Sequence, residues 1–332
     1  WIENDRVANF DPSSPIEISY SENFDTEPTL YDYEGNLLLQ SSHGHDQSVV
    51  NGIGRIGFMR GGGKAVWKDE SIADSIVKKT VEFINQNQEN PFFFFLCTND
   101  IHVPRWPAER FRGKSEMGLR GDAILQLDWT VEVITKTLEN LGLRENTLII
   151  LTSDNGPILD DGYHDNAEQL LGDHLPAGNN RGTKYSAYNG GSKVPFIVSW
   201  PTHTPKGKVS NALLSQIDCI ASFAKLLNTT LPQDVAIDSR NFLKTWLGVS
   251  NQSTPFAISM AQNRTLNIRT KKWKYIEPSN DSALLPWNPK VETGYKNVPQ
   301  LFNLKRDIGE QTNIAKKHRF LVSYFQKIID KV

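Results

Sequence analysis

Thr147-Leu-Ile-Ile-Leu-Thr-Ser-Asp-Asn-Gly-Pro157 is the stretch on which the fold of this chain turns. Its first half, Thr147 to Thr152, is a run of leucine and β-branched residues without a charge. Such a run is too short for a helix and reads as a buried strand. Its second half is turn chemistry, Asp-Asn-Gly followed by a proline. Outward on the N-terminal side, Ile124, Leu127, Val131, Ile134, Leu138 and Leu141 share one helical stripe, which predicts a helix over about 121–141. Gly142 is placed to cap it. Further out, Phe92-Phe-Phe-Phe-Leu-Cys97 reads as another fully buried strand, and Pro91 before it stops a helix over 69–87 marked by Ile72, Ile76, Val77, Val81 and Ile84. Helix, strand, helix, strand is the order of an α/β domain with a largely parallel sheet.

Outward on the other side, Val194 to Trp200 is a third strand and Ile217 to Leu227 a third helix. After about Pro255 the texture changes. Thr265–Thr270 and Trp273–Ile276 predict a hairpin turned at Lys271-Lys272, Gln300–Leu304 a further strand, and a short helix closes the chain from about Lys316. This is a small α+β subdomain, so the domains are expected at 1–250 and 251–332. Residues 1–68 are irregular, with Ile16–Tyr20 as a short extended piece.

Composition narrows the function. The 332 residues carry a net charge of −2, so no basic excess exists to neutralise a nucleic acid backbone. The longest apolar run, Phe92 to Cys97, is far short of the ~20 residues of a membrane helix. Two cysteines, Cys97 and Cys219, make neither a disulfide framework nor a zinc site, and both read as buried, unreactive thiols.

Ligands in open α/β sheets bind beyond the carboxyl ends of strands. Two polar clusters fall there, Asn99-Asp-Ile-His-Val-Pro104 and Ser153-Asp-Asn-Gly-Pro157. Asp154 and Asn155 offer adjacent hard oxygens suited to Ca²⁺ or Mg²⁺, although the same letters make an ordinary turn. His102 is a histidine one strand away from that pair, and loop histidines are also common as plain surface residues. Lys184, in the Gly-rich segment 181–191, can set a point charge against an anion or simply be solvated. Gly52-Ile-Gly-Arg-Ile-Gly57 matches a dinucleotide fingerprint by letters, but no clean strand precedes it and no helix can follow. Gly61-Gly-Gly-Lys64 lacks the spacing of a phosphate loop. His43-Gly-His-Asp46 and Asp160-Asp-Gly-Tyr-His-Asp165 read as loops flanking the mouth of a site, or as polar surface.

Taken in order, Asp-Ile-His102-Val-Pro, Thr-Ser-Asp154-Asn155-Gly-Pro, Lys184 ahead of Gly191, and Lys-Val-Pro-Phe-Ile-Val-Ser-Trp-Pro201 resemble the type I sulfatases. Trp273-Lys-Tyr-Ile276 and Gln300-Leu-Phe-Asn-Leu304 with Asp307-Ile-Gly-Glu-Gln-Thr-Asn313 are similar to that family's C-terminal subdomain, so the resemblance runs from about residue 50 to the end. It implies the alkaline-phosphatase-like sandwich with a mostly parallel central sheet, and hydrolysis of a sulfate ester of a carbohydrate or aryl alcohol. It implies that Asp154 and Asn155 are half of a calcium site, that Lys184 contacts the sulfate oxygens, and that His102 stands near the ester oxygen and protonates the leaving group. These three side-chain groups are expected to converge on one cleft. It implies a sulfated small molecule or glycan as substrate, no nucleic acid partner, no membrane span, and a periplasmic or secreted location.

The chain departs from that family at its nucleophile, a formylglycine made in a Cys/Ser-x-Pro/Ala-x-Arg motif. Cys97 begins Cys-Thr-Asn-Asp-Ile and Cys219 begins Cys-Ile-Ala-Ser-Phe, while Ser13-Ser-Pro-Ile-Glu17 ends in glutamate. The early Asp-Asp calcium ligands are absent as well. The expectation is a catalytic domain lacking its N-terminal part, with the formylglycine in a missing segment that would also be a partner of this chain. A phosphoester or phosphonate hydrolase of the same superfamily, and an inert glycan-binding chain, are the alternatives.

Overall fold

The computed structural model describes residues 1–24 and 27–332. The chain divides into two compact units, one of residues 1–143 and 159–174, the other of 144–158 and 175–332. In the first unit, short antiparallel pairs replace a continuous sheet. They are β1 (Ile2–Glu3) with β2 (Arg6–Val7), then β3 (Glu17–Ser19), β4 (Val49–Val50), β5 (Ile53–Gly54) and β6 (Phe58–Arg60), in which β3 pairs with β6 and β4 with β5. The Gly52–Gly57 segment is therefore hairpin strand, and it opens no helix.

Two helices follow, each where its apolar stripe predicts. After a 3₁₀ turn at Asp69–Ser71, α1 (Ile72–Gln86) buries Ala73, Val77, Thr80 and Ile84 along one side and packs against α2 (Gly118–Asn140). Gly142 ends α2 at φ +69°, and the Leu143 N–H reaches back to the Leu138 carbonyl at 2.8 Å, a Schellman closure that a side chain would resist. Between the helices, Phe92–Cys97 departs from expectation. It joins no ladder among the described residues. The rings of Phe92 and Phe94 touch Phe83 of α1, yet Phe93, Phe94, Phe95 and Cys97 are all exposed. Apolar composition states a preference for burial but supplies no pairing strand, and without one most of the run stays exposed. Cys97 is thus an exposed thiol rather than a buried one.

In the second unit β7 (Ile149–Thr152) is the strand quoted at the outset, though it is not the buried strand its composition suggests: Ile149 and Ile150 are half-buried and Leu151 and Thr152 exposed. It pairs antiparallel with β8 (Phe196–Ser199), Ile149 opposite Ser199 and Thr152 opposite Phe196. Between them stands one turn of helix, α3 (Asn189–Ser192). A capping box of Ser215 and Asp218 starts a 3₁₀ turn that runs into α4 (Cys219–Leu226), and α5 (Leu243–Trp246) follows. The C-terminal part is a four-stranded antiparallel sheet made of β9 (Ala257–Met260), β10 (Leu266–Arg269), β11 (Trp273–Ile276) and β12 (Gln300–Asn303), in the order β12-β11-β10-β9. Alternation assigns its two faces. Ile268, Tyr275 and Leu301 pack under α6 (Arg319–Ile329) through Phe325 and Ile329, whereas Ile276 and Phe302 pack on Ala187 and Tyr188. Every strand ladder among the described residues is antiparallel, and the one parallel contact is an isolated bridge of Leu39 with Ile53.

Candidate functional site

In the first unit three loops meet around His102. The loop over 99–105 is pinned at both ends. Gln126 of α2 donates through Nε2 to the Asp100 carboxylate at 3.0 and 3.1 Å, and the buried Arg105 donates to Asp165 at 2.6 Å and to the Leu159 carbonyl at 2.9 Å. Burial pushes Asp100 up to about 6, against the hydrogen bond from Gln126. The 160–165 loop, so tethered, is also stitched to the 40–46 loop. The Ser42 N–H donates to the Gly162 carbonyl at 3.0 Å and the His164 N–H to the Gln40 carbonyl at 2.8 Å.

The side chains brought together are His43, His45, His102, Asp160 and Asp161. His102 Nε2 lies 3.9 Å from Asp161 Oδ2, and His43 Nδ1 lies 3.8 Å from Asp160 Oδ1. The His45 ring lies tilted against the Tyr163 ring with centres 4.5 Å apart, and burial holds its imidazole below the ordinary histidine value despite the His43 carbonyl and Asp161. His102 is the exposed member, with Nδ1 2.7 Å from the Val103 carbonyl. A ring that donates there from Nδ1 presents Nε2, the atom that carries a proton in the charged form and lacks one in the neutral form.

In the second unit the turn after β7 and the turn carrying Lys184 interlock through their backbones. The Gly156 N–H donates to the Gly191 carbonyl and the Lys184 N–H to the Pro157 carbonyl, both at 2.9 Å. A Cβ on Gly156 would stand 1.7 Å from the Gly190 carbonyl oxygen, so only glycine admits this approach. Asp154 and Asn155 thus stand on the same scaffold as Lys184, which has Nζ 5.1 Å from the Tyr185 ring centre. Asp154 is exposed; its Oδ1 accepts the Asn155 N–H at 2.9 Å, and Asn155 turns its amide nitrogen to the Gly156 carbonyl at 2.9 Å. Asn155 Oδ1 and the Asp154 carboxylate are hard oxygens of the kind calcium takes, but they supply only part of the roughly six to eight it needs. No group of three or more His, Cys, Asp or Glu able to hold a metal occurs among the described residues. No helix among them is long and apolar enough to cross a membrane.

Of the residues singled out from sequence, the structure places Asp154, Asn155 and Lys184 on two turns of the second unit joined through their backbones, and His102 in the first unit, among the two flanking loops. Sequence reasoning missed Gln126, Arg105, Asp165 as a partner, Asn189 and Glu310. Gln126 carried a signal, as a polar residue on an otherwise apolar stretch of helix, whereas Asp165 and Glu310 stand in polar segments with nothing local to mark them.

The sulfatase family model matches residues 1–229. Over all 332 residues the chain is 46% identical to the N-acetylgalactosamine-6-O-sulfatase of Bacteroides thetaiotaomicron, of which it covers 65%. Over 284 residues, 80% of this chain, it is 26% identical to 51% of the human N-acetylgalactosamine-6-sulfatase. A solved structure from work on glycosaminoglycan metabolism by B. thetaiotaomicron superposes with a TM-score of 0.96 at 45% identity, over 99% of this chain and 68% of that one. The chain thus spans from about half to about two thirds of the length of these relatives. On the family match and the identity along its whole length, the chain belongs to the sulfatase family.

Proposed function

We propose that this chain is the larger part of an enzyme that hydrolyses sulfate monoesters, with 6-O-sulfated N-acetylgalactosamine of a glycan as its substrate. The observation that carries the reading is the interlock of the Asp154–Asn155 turn with the Lys184 turn, which ties an oxygen-donor pair to a cation in one rigid piece. The identity to a named N-acetylgalactosamine-6-O-sulfatase supports the choice of substrate.

The roles follow from charge. A sulfate ester presents anionic oxygens, and its cleavage sends an electron pair to the ester oxygen, which then needs a proton. Lys184 supplies fixed positive charge for the sulfate oxygens. His102, with Nδ1 turned to the Val103 carbonyl, presents Nε2 as the atom for proton transfer to the ester oxygen. Asp154 and Asn155 would hold part of the shell of a calcium ion, which when bound adds positive charge beside the sulfate. The family's formylglycine has no counterpart here, since neither Cys97 nor Cys219 lies in the required pattern, and no step is assigned to it. His43, His45 and Asp160 offer donors and acceptors for sugar hydroxyls beside His102.

The test uses protein expressed from the complete reading frame, assayed with calcium on 6-O-sulfated N-acetylgalactosamine, the 4-O-sulfated isomer and a phosphate monoester. Faster release from the 6-O-sulfate is the expected result. Faster phosphate release would favour the phosphoesterase alternative, and glycan binding without release would favour the inert one. The 332 residues alone are expected to give no turnover of a chromogenic sulfate ester; turnover would mean that they contain the nucleophile.

A further inference from the structure

The turn that carries Lys184 is gripped from behind by a carboxylate with no part in the chemistry above. Glu310 is fully buried, and its Oε2 accepts the backbone N–H of Asn189 at 2.9 Å. Its carbonyl accepts Arg181 Nη1 at 2.9 Å, and Arg181 also clasps Glu292 through Nε and Nη2, both at 2.7 Å. Arg181 and Asn189 are the two ends of the turn, joined where the Gly190 N–H donates to the Arg181 carbonyl at 2.7 Å. One residue therefore holds both ends.

Glu310 is backed by the C-terminal sheet. Lys274 alternates with Tyr275 on β11, so it lies on the face away from α6, with Arg269 opposite it in register on β10. Lys274 is fully buried, its Nζ donates to Asn267 Oδ1 at 2.6 Å, and both cations act electrostatically on Glu310. Stability alone does not account for this cluster. Ile276, Phe302, Ala187 and Tyr188 already form an apolar core around it. Glu310 Oε1, Arg269 Nε and both amide atoms of Asn189 are buried without a hydrogen-bond partner. A buried charge set with open valences is a poor stabiliser compared with apolar packing, but it is strongly directional.

We propose that Glu310 is a positioning residue for Lys184. Through the Asn189 N–H it sets the 189–191 helical turn. Through Gly191 and Gly156 that turn sets the Asp154–Asn155 loop, whose Pro157 carbonyl in turn fixes the Lys184 backbone. The proposal rests on reading Lys184 as the sulfate contact.

The experiment compares E310A, E310Q, E310D, K184A and F325A in protein expressed from the complete reading frame, with rates normalised to folded protein. E310A is expected to lower kcat/KM about 10- to 100-fold, as a displaced charge does, and E310Q, which keeps an acceptor for the Asn189 N–H, to stay within about threefold of the parent. E310D keeps the charge but withdraws it by one carbon, and is expected to fall between them; it carries the test if E310A does not accumulate. Hydrogen exchange in a peptide over 186–191 speeds up in E310A and not in E310Q. F325A loosens the far face of the sheet and leaves the kinetics of folded molecules unchanged. The proposal is overturned if K184A abolishes activity while E310A and E310D match the parent, or if F325A lowers kcat/KM as much as E310A. If K184A itself leaves kcat/KM unchanged, the sulfate-contact reading has failed instead, and faster exchange in E310A alone still establishes the grip on the turn.

Discussion

Asp100 illustrates how burial, rather than residue type, sets the behaviour of single groups in the first unit. Its carboxyl is pushed up to about 6 while the unfolded chain holds it near 3.8, so the folded state binds this proton more tightly. Stability contributed by the protonated form is full below pH 4 and is lost as pH rises toward 6. Asp100→Asn removes that loss, so its midpoint of thermal unfolding is expected to exceed the parent's at pH 7–8 and to match it near pH 4. Equal midpoints at both pH values would show that the carboxylate is not buried. Lys184→Ala is expected to cost about 10²–10³ in kcat/KM, the scale for one oriented group facing developing negative charge. His43→Ala should raise KM for the sulfated sugar by about 3- to 10-fold, the scale of one lost hydrogen bond, and leave an aryl sulfate unaffected. Asp154 and Asn155 drew notice in the sequence as hard oxygens beside a strand end, His102 as a histidine near a predicted one, and Lys184 only through the order of motifs around it. Glu310 could not, because its partner Asn189 lies 121 residues away and nothing local marks the contact.

Secondary structure elements were legible where a period reports one face. The stripe of α1 names its buried side through Val77 and Ile84, that of α2 marks the helix although only Leu138 of the stripe is buried, beside Ala123, Gln126 and Thr130, and the β10–β11 hairpin names its turn. Phe92–Cys97 was misread because an apolar run specifies no neighbour, and the parallel order drawn from helix and strand alternation did not anticipate the antiparallel β7–β8 pair. The Gly156–Gly190 contact was equally invisible, since a glycine after Asp-Asn reads as turn chemistry whether or not another backbone presses on it. Gly156→Ala tests that contact. A methyl placed 1.7 Å from the Gly190 carbonyl oxygen must part the two turns. The expected cost is about 1–3 kcal/mol in unfolding free energy, with faster exchange of the Lys184 and Gly156 amides. Unchanged exchange would mean that the turns do not interlock in solution.

Across the whole molecule the decisive quantity is charge. A net charge of −2 over 332 residues gives this chain no general attraction for a polyanionic polymer. If the proposed reading holds, recognition is local, with Lys184 as the sulfate contact, rather than through a basic surface that tracks the polymer. Binding that releases many counterions weakens about 10³- to 10⁵-fold between 50 and 200 mM salt. Contact through a single lysine should weaken far less, by about threefold, because a partly buried pair is screened only weakly. Measuring kcat/KM on a sulfated oligosaccharide and on its monosaccharide unit across that salt range should give two nearly parallel, shallow lines. A steep line for the oligosaccharide alone would mean that basic residues outside the Lys184 turn bind flanking sulfates, and local recognition would have to be abandoned for a surface that follows the chain.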